Sequence, residues 1–359
     1  MKIMHIVGAR PNFMKIAPIM SEMNRYDDHF EQVLVHTGQH YDRTMSQVFF
    51  DELELPHPDI NLDVRSGSHA QQTAEIMKRF EPVLLDYRPD WLFVPGDVNS
   101  TLACALVAAK SSVPIVHVEA GLRSYDRTMP EEINRILTDH LSDMLLTPSR
   151  DGDENLLKEG IPPQKIHFVG NIMIDTLVRL LPKAQSRYDA LKKQYELQSF
   201  ILVTLHRPAN VDNDETLQGI LEAVHEIGRH AQVLFPVHPR TRSNLAKSEF
   251  QPLLRNILLL EPLGYLDFLA LQSAADVVVT DSGGVQEETT FLGVPCVTVR
   301  PNTERPVTLT QGTNRLVSSD CQSLIHAISD SLSSVSAPDR QVPERWDGKT
   351  ASRIVQIFL

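Results

Sequence analysis

Three carboxylates stand where short apolar runs give way to loops. They are Asp97 in Pro95-Gly96-Asp97-Val98-Asn99-Ser100-Thr101, Glu119 in His117-Val118-Glu119-Ala120-Gly121-Leu122-Arg123, and Glu131 in Pro130-Glu131-Glu132-Ile133-Asn134-Arg135. Neighbouring carboxylates in unlike surroundings separate into a proton donor and a proton acceptor, so the set suits removal and return of a proton. Helix capping accounts for one acid at a helix N-terminus, and serves Asp97 or Glu132 as well as function does, but it accounts poorly for the three together.

A second group of residues suits an anion. Gly8-Ala9-Arg10-Pro11-Asn12-Phe13-Met14-Lys15 places Pro11 in a first helical turn, with Arg10 and Lys15 able to face one anion near that N-terminus. A capped helix with two solvated cations is the plain alternative. With a single glycine the segment is neither a Walker A loop nor a dinucleotide fingerprint. Leu205-His206-Arg207-Pro208-Ala209-Asn210 brings an imidazole and a guanidinium to a strand end, and Pro236-Val237-His238-Pro239-Arg240 repeats the arrangement, although His238 suits a structural role equally. The clearest signal is Thr280-Asp281-Ser282-Gly283-Gly284-Val285-Gln286-Glu287-Glu288: a strand end, a hydroxyl, two glycines and a helix start, which together form a phosphate seat. Glu288 follows about one and a half turns later, where it could accept ribose hydroxyls, its alternative being a charged helix face. Arg300 and Arg305 in Arg300-Pro301-Asn302-Thr303-Glu304-Arg305-Pro306 complete, with Arg10, Lys15 and Arg207, a basic pocket suited to a diphosphate.

These groups need strands to end beneath them. Apolar runs at Lys2–Val7, 32–35, 90–94, Ile115–Val118 and 144–146 alternate with helix-period segments, which predicts a parallel sheet with crossover helices. After a helical stretch near 173–181 the pattern restarts at Phe200–Thr204, Gln232–Pro236, 256–260, Val277–Thr280 and 294–299. The expected architecture is α/β with two Rossmann-like domains. Residues 1–170 form the first, joined by a C-terminal helix at 346–359, and residues 171–345 form the second. A Ser- and Pro-rich stretch at 331–343 reads as a linker before a helix over 347–359. Ligands of such sheets bind at the strands' carboxyl ends, where most of the unusual residues fall.

The 359 residues are long for one core and ordinary for two. The 34 basic and 46 acidic residues leave a net charge of −12, which disfavours nucleic acid and anionic membranes as partners. The N-terminal apolar run is too short for a signal peptide or a membrane span. Cys104, Cys296 and Cys321 are widely spaced and odd in number, which fits small buried residues in a reducing cytoplasm. Neither metal-ligand spacing nor a nicotinamide fingerprint is found, so no metal or redox cofactor is expected.

The ordered set Gly-Ala-Arg-Pro, Gly96-Asp97, His117 to Arg123, Pro130-Glu131-Glu132, Asn134-Arg135, Asp281 to Gly284 and Thr303-Glu304-Arg305-Pro306 resembles the UDP-N-acetylglucosamine 2-epimerase family of the non-hydrolysing kind, along essentially the whole chain. The resemblance implies a GT-B-like pair of domains facing a central cleft, a homodimer, and interconversion of UDP-GlcNAc and UDP-ManNAc. The implied route expels UDP to a 2-acetamidoglucal and adds it back. By position Asp97, Glu119 and Glu131 match acid/base residues, and His206 matches the histidine near the leaving phosphate. Arg10, Lys15, Arg135, Arg207, His238, Phe268, Ser282, Gly283, Gly284, Glu288 and Arg305 match substrate-binding positions. Alternatives are a hydrolysing epimerase releasing UDP and ManNAc, a 2-epimerase of another UDP-2-acetamido sugar, and a GT-B glycosyltransferase. The chain departs from the family at Pro208-Ala209 and at Gln71-Gln72-Thr73, where many members carry H-R-R-E and R-Q-T. A weak or absent activating site is therefore expected, unless Gln39, Gln47 or nearby groups rebuild it.

Overall fold

The structure, a computed structural model, describes residues 1–38, 57–333 and 342–359. The chain forms two compact units, Met1–Arg179 with Glu344–Leu359, and Leu180–Pro343.

The first unit runs β1 (Lys2–Val7), α1 (Arg10–Met23), β2 (Glu31–His36), β3 (Ile60–Asn61), α2 (His69–Tyr87), β4 (Trp91–Pro95), α3 (Asn99–Lys110), β5 (Ile115–Val118), α4 (Pro130–Leu141), β6 (Met144–Thr147), α5 (Arg150–Lys158) and β7 (Ile166–Phe168). The long α6 (Ile172–Gln194) then leads into the second unit. Its sheet has the order β3-β2-β1-β4-β5-β6-β7, with every pair parallel. Parallel strands are covered on both faces, and β1, β4 and β5 are accordingly buried almost end to end. Helix α2 starts at a reciprocal cap between Ser68 and Gln71, and turns Ile76, Phe80 and Leu84, four residues apart, onto Met4, Ile6, Val35 and Val94. Phe80→Ala would cost this unit about 3–5 kcal/mol.

The second unit continues with β8 (Phe200–Thr204), α7 (Pro208–Val211), α8 (Asp214–Ile227), β9 (Gln232–Pro236), α9 (Pro239–Leu245), β10 (Leu258–Leu260), α10 (Tyr265–Ala274), β11 (Val277–Thr280), α11 (Gly283–Leu292), β12 (Cys296–Val299), α12 (Val307–Thr310), β13 (Asn314–Val317) and α13 (Cys321–Ser333). Its parallel sheet has the order β10-β9-β8-β11-β12-β13. Leu217, Ile220, Leu221 and Val224 of α8 pack over Val233 and Phe235. In each unit the strand order reverses beside the first strand, between β1 and β4 and between β8 and β11. Ligand crevices of open α/β sheets lie at such switch points; the loops that leave them carry Arg10 and Asp97 in the first unit and His206, Arg207 and Ser282 in the second, and Glu119 and Arg300 follow the next strand along, β5 and β12.

All the expected strands are present, some shifted by a residue or two. The edge strands β3, β7 and β13 are additional, since their mixed burial gave no clean apolar run. The last helix, α14 (Thr350–Phe358), starts later than 347. Gly348 has φ +73°, and Asp347 accepts the Lys349 amide, which holds the chain in a turn. The change of unit falls within α6 rather than at 170/171, because the first turns of α6 stay bound to the first unit. Asp175 accepts the amides of Thr350 and Ala351 at 3.0 and 2.7 Å, capping α14, and Thr176 donates to the Met14 carbonyl. Of the expected linker at 331–343, Ser331 to Ser333 belong to α13, and 334–341 lie outside the described residues. Cys104 and Cys296 are buried, and burial raises both thiols, that of Cys296 up to about 11, whereas Cys321, expected to be buried with them, is only partly so.

Candidate active site

Near the first switch point two of the three carboxylates are held by buried cations. Lys15, 5% exposed, reaches from α1 to Glu119 just after β5, with Nζ 2.8 Å from Oε1. Asp97, just after β4, pairs with Arg135 of α4, which also donates to Glu132 at 3.2 Å. Glu131 sits half-exposed in the first turn of α4. Lys15 and Arg135 thus neutralise carboxylates. An ammonium this deeply buried needs a counter-charge within contact. Arg10 opens α1, but its side chain lies outside the described residues.

The backbone here is shaped around those pairs. Gly96 has φ +65°, and a Cβ there would stand 2.8 Å from the Lys15 ammonium, so glycine both permits the turn and leaves room for the cation. Glu119 itself is left-handed, at φ +73°, an uncommon conformation for a residue with a side chain. Asn12, unremarkable within its own segment, joins the two loops: its Oδ1 accepts the amides of Gly8 and Ala9 at 3.1 and 3.0 Å, and its Nδ2 donates to the Pro95 carbonyl at 2.9 Å. Asn134 donates to the Asp97 carbonyl at 2.9 Å.

Behind the carboxylates lies a buried polar network that also escaped the sequence reading. His117 bridges the Gly96 carbonyl through Nε2 at 2.8 Å and Asp139 through Nδ1 at 2.6 Å. Asp139 also receives Arg123 at 2.7 Å and the Gly121 amide at 3.2 Å, and Arg123 grips Glu159 with two hydrogen bonds. Burial alone would raise the Asp139 carboxyl, but His117 and Arg123 outweigh it and hold it below its ordinary value. Glu132 accepts both the amide and the hydroxyl of Ser124 and the amide of Tyr125, and so holds a loop in place.

At the second switch point a buried acid orients a histidine, and three guanidiniums gather beside it. Asp281, fully buried at the end of β11, accepts the amides of His206 and Arg207, the Asn210 side chain, and Nδ1 of His206 at 2.9 Å. Burial pushes this carboxyl up, and the His206 contact with the backbone donors more than reverses the shift. The exposed imidazole is thereby fixed in orientation, in the way a carboxylate orients a catalytic histidine. His238 is also exposed, its ring centroid 6.3 Å from that of His206. Arg207, Arg300 and Arg305 gather around Glu304 and Glu287. Arg300 makes a bidentate pair with Glu304 at 2.9 and 2.7 Å, Arg305 meets Glu287 at 2.8 Å, and Arg207 is 3.7 Å from Glu304. Burial, with Arg300 beside it, lowers the Arg207 guanidinium from its ordinary value. Such crowding of like charge favours an added anion.

Ser282 stands at the N-cap position of α11 without a side-chain capping bond, and Gly283 and Gly284 form its first turn, where helix amides and dipole favour phosphate. A Cβ at Gly283 would fall 2.5 Å from an Arg305 nitrogen, so glycine lets the guanidinium close over the helix start. One turn on, buried Glu288 accepts the Tyr265 hydroxyl at 2.9 Å. Phe268 is half-buried one turn after Tyr265 on α10. Among the described residues no group of His, Cys, Asp or Glu side chains is arranged to hold a metal ion, and no helix is long and apolar enough to cross a membrane.

Two doubly wound sheets, one ending in braced carboxylates and the other in an oriented imidazole beside an anion seat, define an α/β enzyme of the GT-B-like class that acts on a phosphorylated ligand. Comparison with known proteins narrows this. The model of the UDP-N-acetylglucosamine 2-epimerase family matches residues 22–359. A UDP-N-acetylglucosamine 2-epimerase homolog of Methanococcus maripaludis is 46% identical over 334 residues, 92% of each chain. A UDP-2,3-diacetamido-2,3-dideoxy-D-glucuronate 2-epimerase of Pseudomonas aeruginosa is 41% identical, covering 99% of both. The crystal structure of the Methanocaldococcus jannaschii UDP-GlcNAc 2-epimerase in complex with UDP-GlcNAc and UDP superposes with a TM-score of 0.91 at 42% identity, again over 99% of each chain. The chain belongs to the UDP-N-acetylglucosamine 2-epimerase family.

Proposed function

We propose that the chain interconverts UDP-N-acetylglucosamine and UDP-N-acetylmannosamine by elimination and re-addition of UDP. The observation that carries this reading is the set of carboxylates at the first switch point, two of them held by buried cations, in a chain of this family. C2 of the sugar is not adjacent to a carbonyl, so its proton cannot leave by simple enolisation. A carboxylate among Asp97, Glu119 and Glu131 takes that proton, the C–H electrons form the C1–C2 double bond, and the C1–oxygen bond breaks with its pair going to UDP. Return of a proton to the opposite face of C2, with re-addition of UDP at C1, gives the epimer. Arg207, Arg305, Ser282, Gly283 and Gly284 suit the leaving diphosphate, His206 its phosphate oxygen, and Glu288 the ribose.

Incubation with UDP-GlcNAc in deuterated water, followed by NMR and a free-UDP assay, tests this. The expected product is UDP-ManNAc with deuterium at C2. Bulk release of UDP and ManNAc would move the chain to the hydrolysing class. One observation favours a second reading: the Pseudomonas relative named for the diacetamido-glucuronate substrate matches the whole chain at 41% identity. Deuterium entering that sugar nucleotide and not UDP-GlcNAc would establish it. We further propose a cytoplasmic homodimer that needs no metal or redox cofactor, and whose substrate-activating site is weak or absent. Gln71 supports the last point, because its side chain accepts the Ser68 amide at 3.2 Å and serves its own helix start.

A further inference from the structure

We propose that Tyr265 is a positioning residue for nucleotide recognition: its hydroxyl aims the Glu288 carboxylate so that the carboxylate can receive both hydroxyls of a ribose ring. This rests on the reading that α11 seats the uridine diphosphate. Glu288 is 4% exposed, on the second turn of that helix, and Tyr265 opens the neighbouring α10. The phenol donates to Oε1 at 2.9 Å. A carboxylate offers about four lone-pair sites, so one donor fixes the plane of the group and leaves sites on both oxygens for a cis-diol. The terminal torsion of a glutamate is otherwise broad, and a carboxyl without that donor would not hold one plane.

The surroundings support a ligand role over a purely structural one. Gln272, fully buried two turns along α10, lies towards the same carboxylate, yet neither its amide nitrogen nor its oxygen closes a hydrogen bond. The neighbouring acid, Glu287, is turned to Arg305 at 2.8 Å and does not share the site. Tyr265, Gln272 and Glu287 are the polar groups that act on Glu288. Burial pushes its carboxyl up to about 7, with Glu287 adding to the shift while Tyr265 and Gln272 oppose it. Burial and Glu288 both raise the Tyr265 phenol well above its ordinary value, so at working pH it only donates. A diol would supply the donors this carboxyl lacks and would favour its ionised form.

The test is calorimetric titration of the full chain and its variants Tyr265→Phe and Glu288→Gln with UDP and with 2′,3′-dideoxyuridine 5′-diphosphate, alongside kinetics. Tyr265→Phe should weaken UDP about tenfold, the size of one charge-assisted hydrogen bond, and change the dideoxy compound by less than about twofold. KM should rise with kcat nearly unchanged, and the midpoint of the fall in UDP affinity towards low pH should move upward. Equal weakening of both ligands, or unaltered UDP binding, would overturn the role of Tyr265. If Glu288→Gln weakens only UDP while Tyr265→Phe changes nothing, this proposal alone fails. If Glu288→Gln leaves both affinities intact, the reading of the nucleotide seat fails and the proposal with it.

Discussion

The two switch points share one topology and differ in how their charged groups are arranged. Around the first, Lys15, Arg123 and Arg135 meet Asp97, Glu119, Glu132, Asp139 and Glu159; around the second, Arg207, Arg300 and Arg305 meet Glu287 and Glu304, His206 meets Asp281, and Glu288 is buried one turn along α11. A mouth whose acids are braced by buried cations suits exchange of a proton with a neutral carbon, and one whose guanidiniums gather beside a helix N-terminus suits a departing anion. The same sheet order thus hosts either task, and the residues just past the strand ends decide which.

The sharpest way to break this contrast is to neutralise the acids one at a time. Asp97→Asn, Glu119→Gln and Glu131→Gln should each lower deuterium incorporation about a hundredfold or more while UDP still binds, as seen by calorimetry. A variant with near-normal exchange would return that residue to helix capping. Next in size, Lys15→Met leaves Glu119 buried opposite an apolar chain. It should cost about 3–5 kcal/mol of stability in urea unfolding, whereas Lys247→Met, which breaks an exposed pair with Asp214, should cost under about 1 kcal/mol.

A smaller effect should appear at the second mouth as a dependence on pH. The folded Glu288 carboxyl sits at about 7 against an ordinary 4.5, so the folded state keeps a proton that the unfolded state releases first. The resulting stabilisation is whole below about 4.5 and lost as pH rises through about 7. Glu288→Gln should flatten that part of the stability profile; an unchanged slope would mean that another group titrates there. The smallest effect concerns Gln71. Rates should be hyperbolic in UDP-GlcNAc, and Gln71→Ala should remove up to about 1 kcal/mol of cap stability without changing the curve's shape. A sigmoidal wild-type curve would show that the activating site is intact.

Much of this was legible from local pattern. Strands buried on both faces give short apolar runs, and Gly96-Asp97 and Asp281 to Gly284 mark where those runs end beside a switch point. What escaped was pairing between distant segments. Asp139 carries no signal in its own segment, and only the fold brings it to His117 and Arg123. Asp281 stood inside a quoted motif without a role, because its partners at 206, 207 and 210 arrive from another strand. The pairing of Lys15 with Glu119 escaped for the same reason: the two lie 104 residues apart. Tyr265 carried no signal of its own.

The Lys15 ammonium, lying between the Gly96 backbone and Glu119, makes three distant positions behave as one unit under mutation. A side chain at 96 would displace the cation, loss of the cation would strand the acid, and a glycine at 119 would ease the left-handed backbone only by removing the acid itself. Single steps away from this arrangement all lead downhill, so drift at any one of the three sites should be tolerated only after compensating change at the other two.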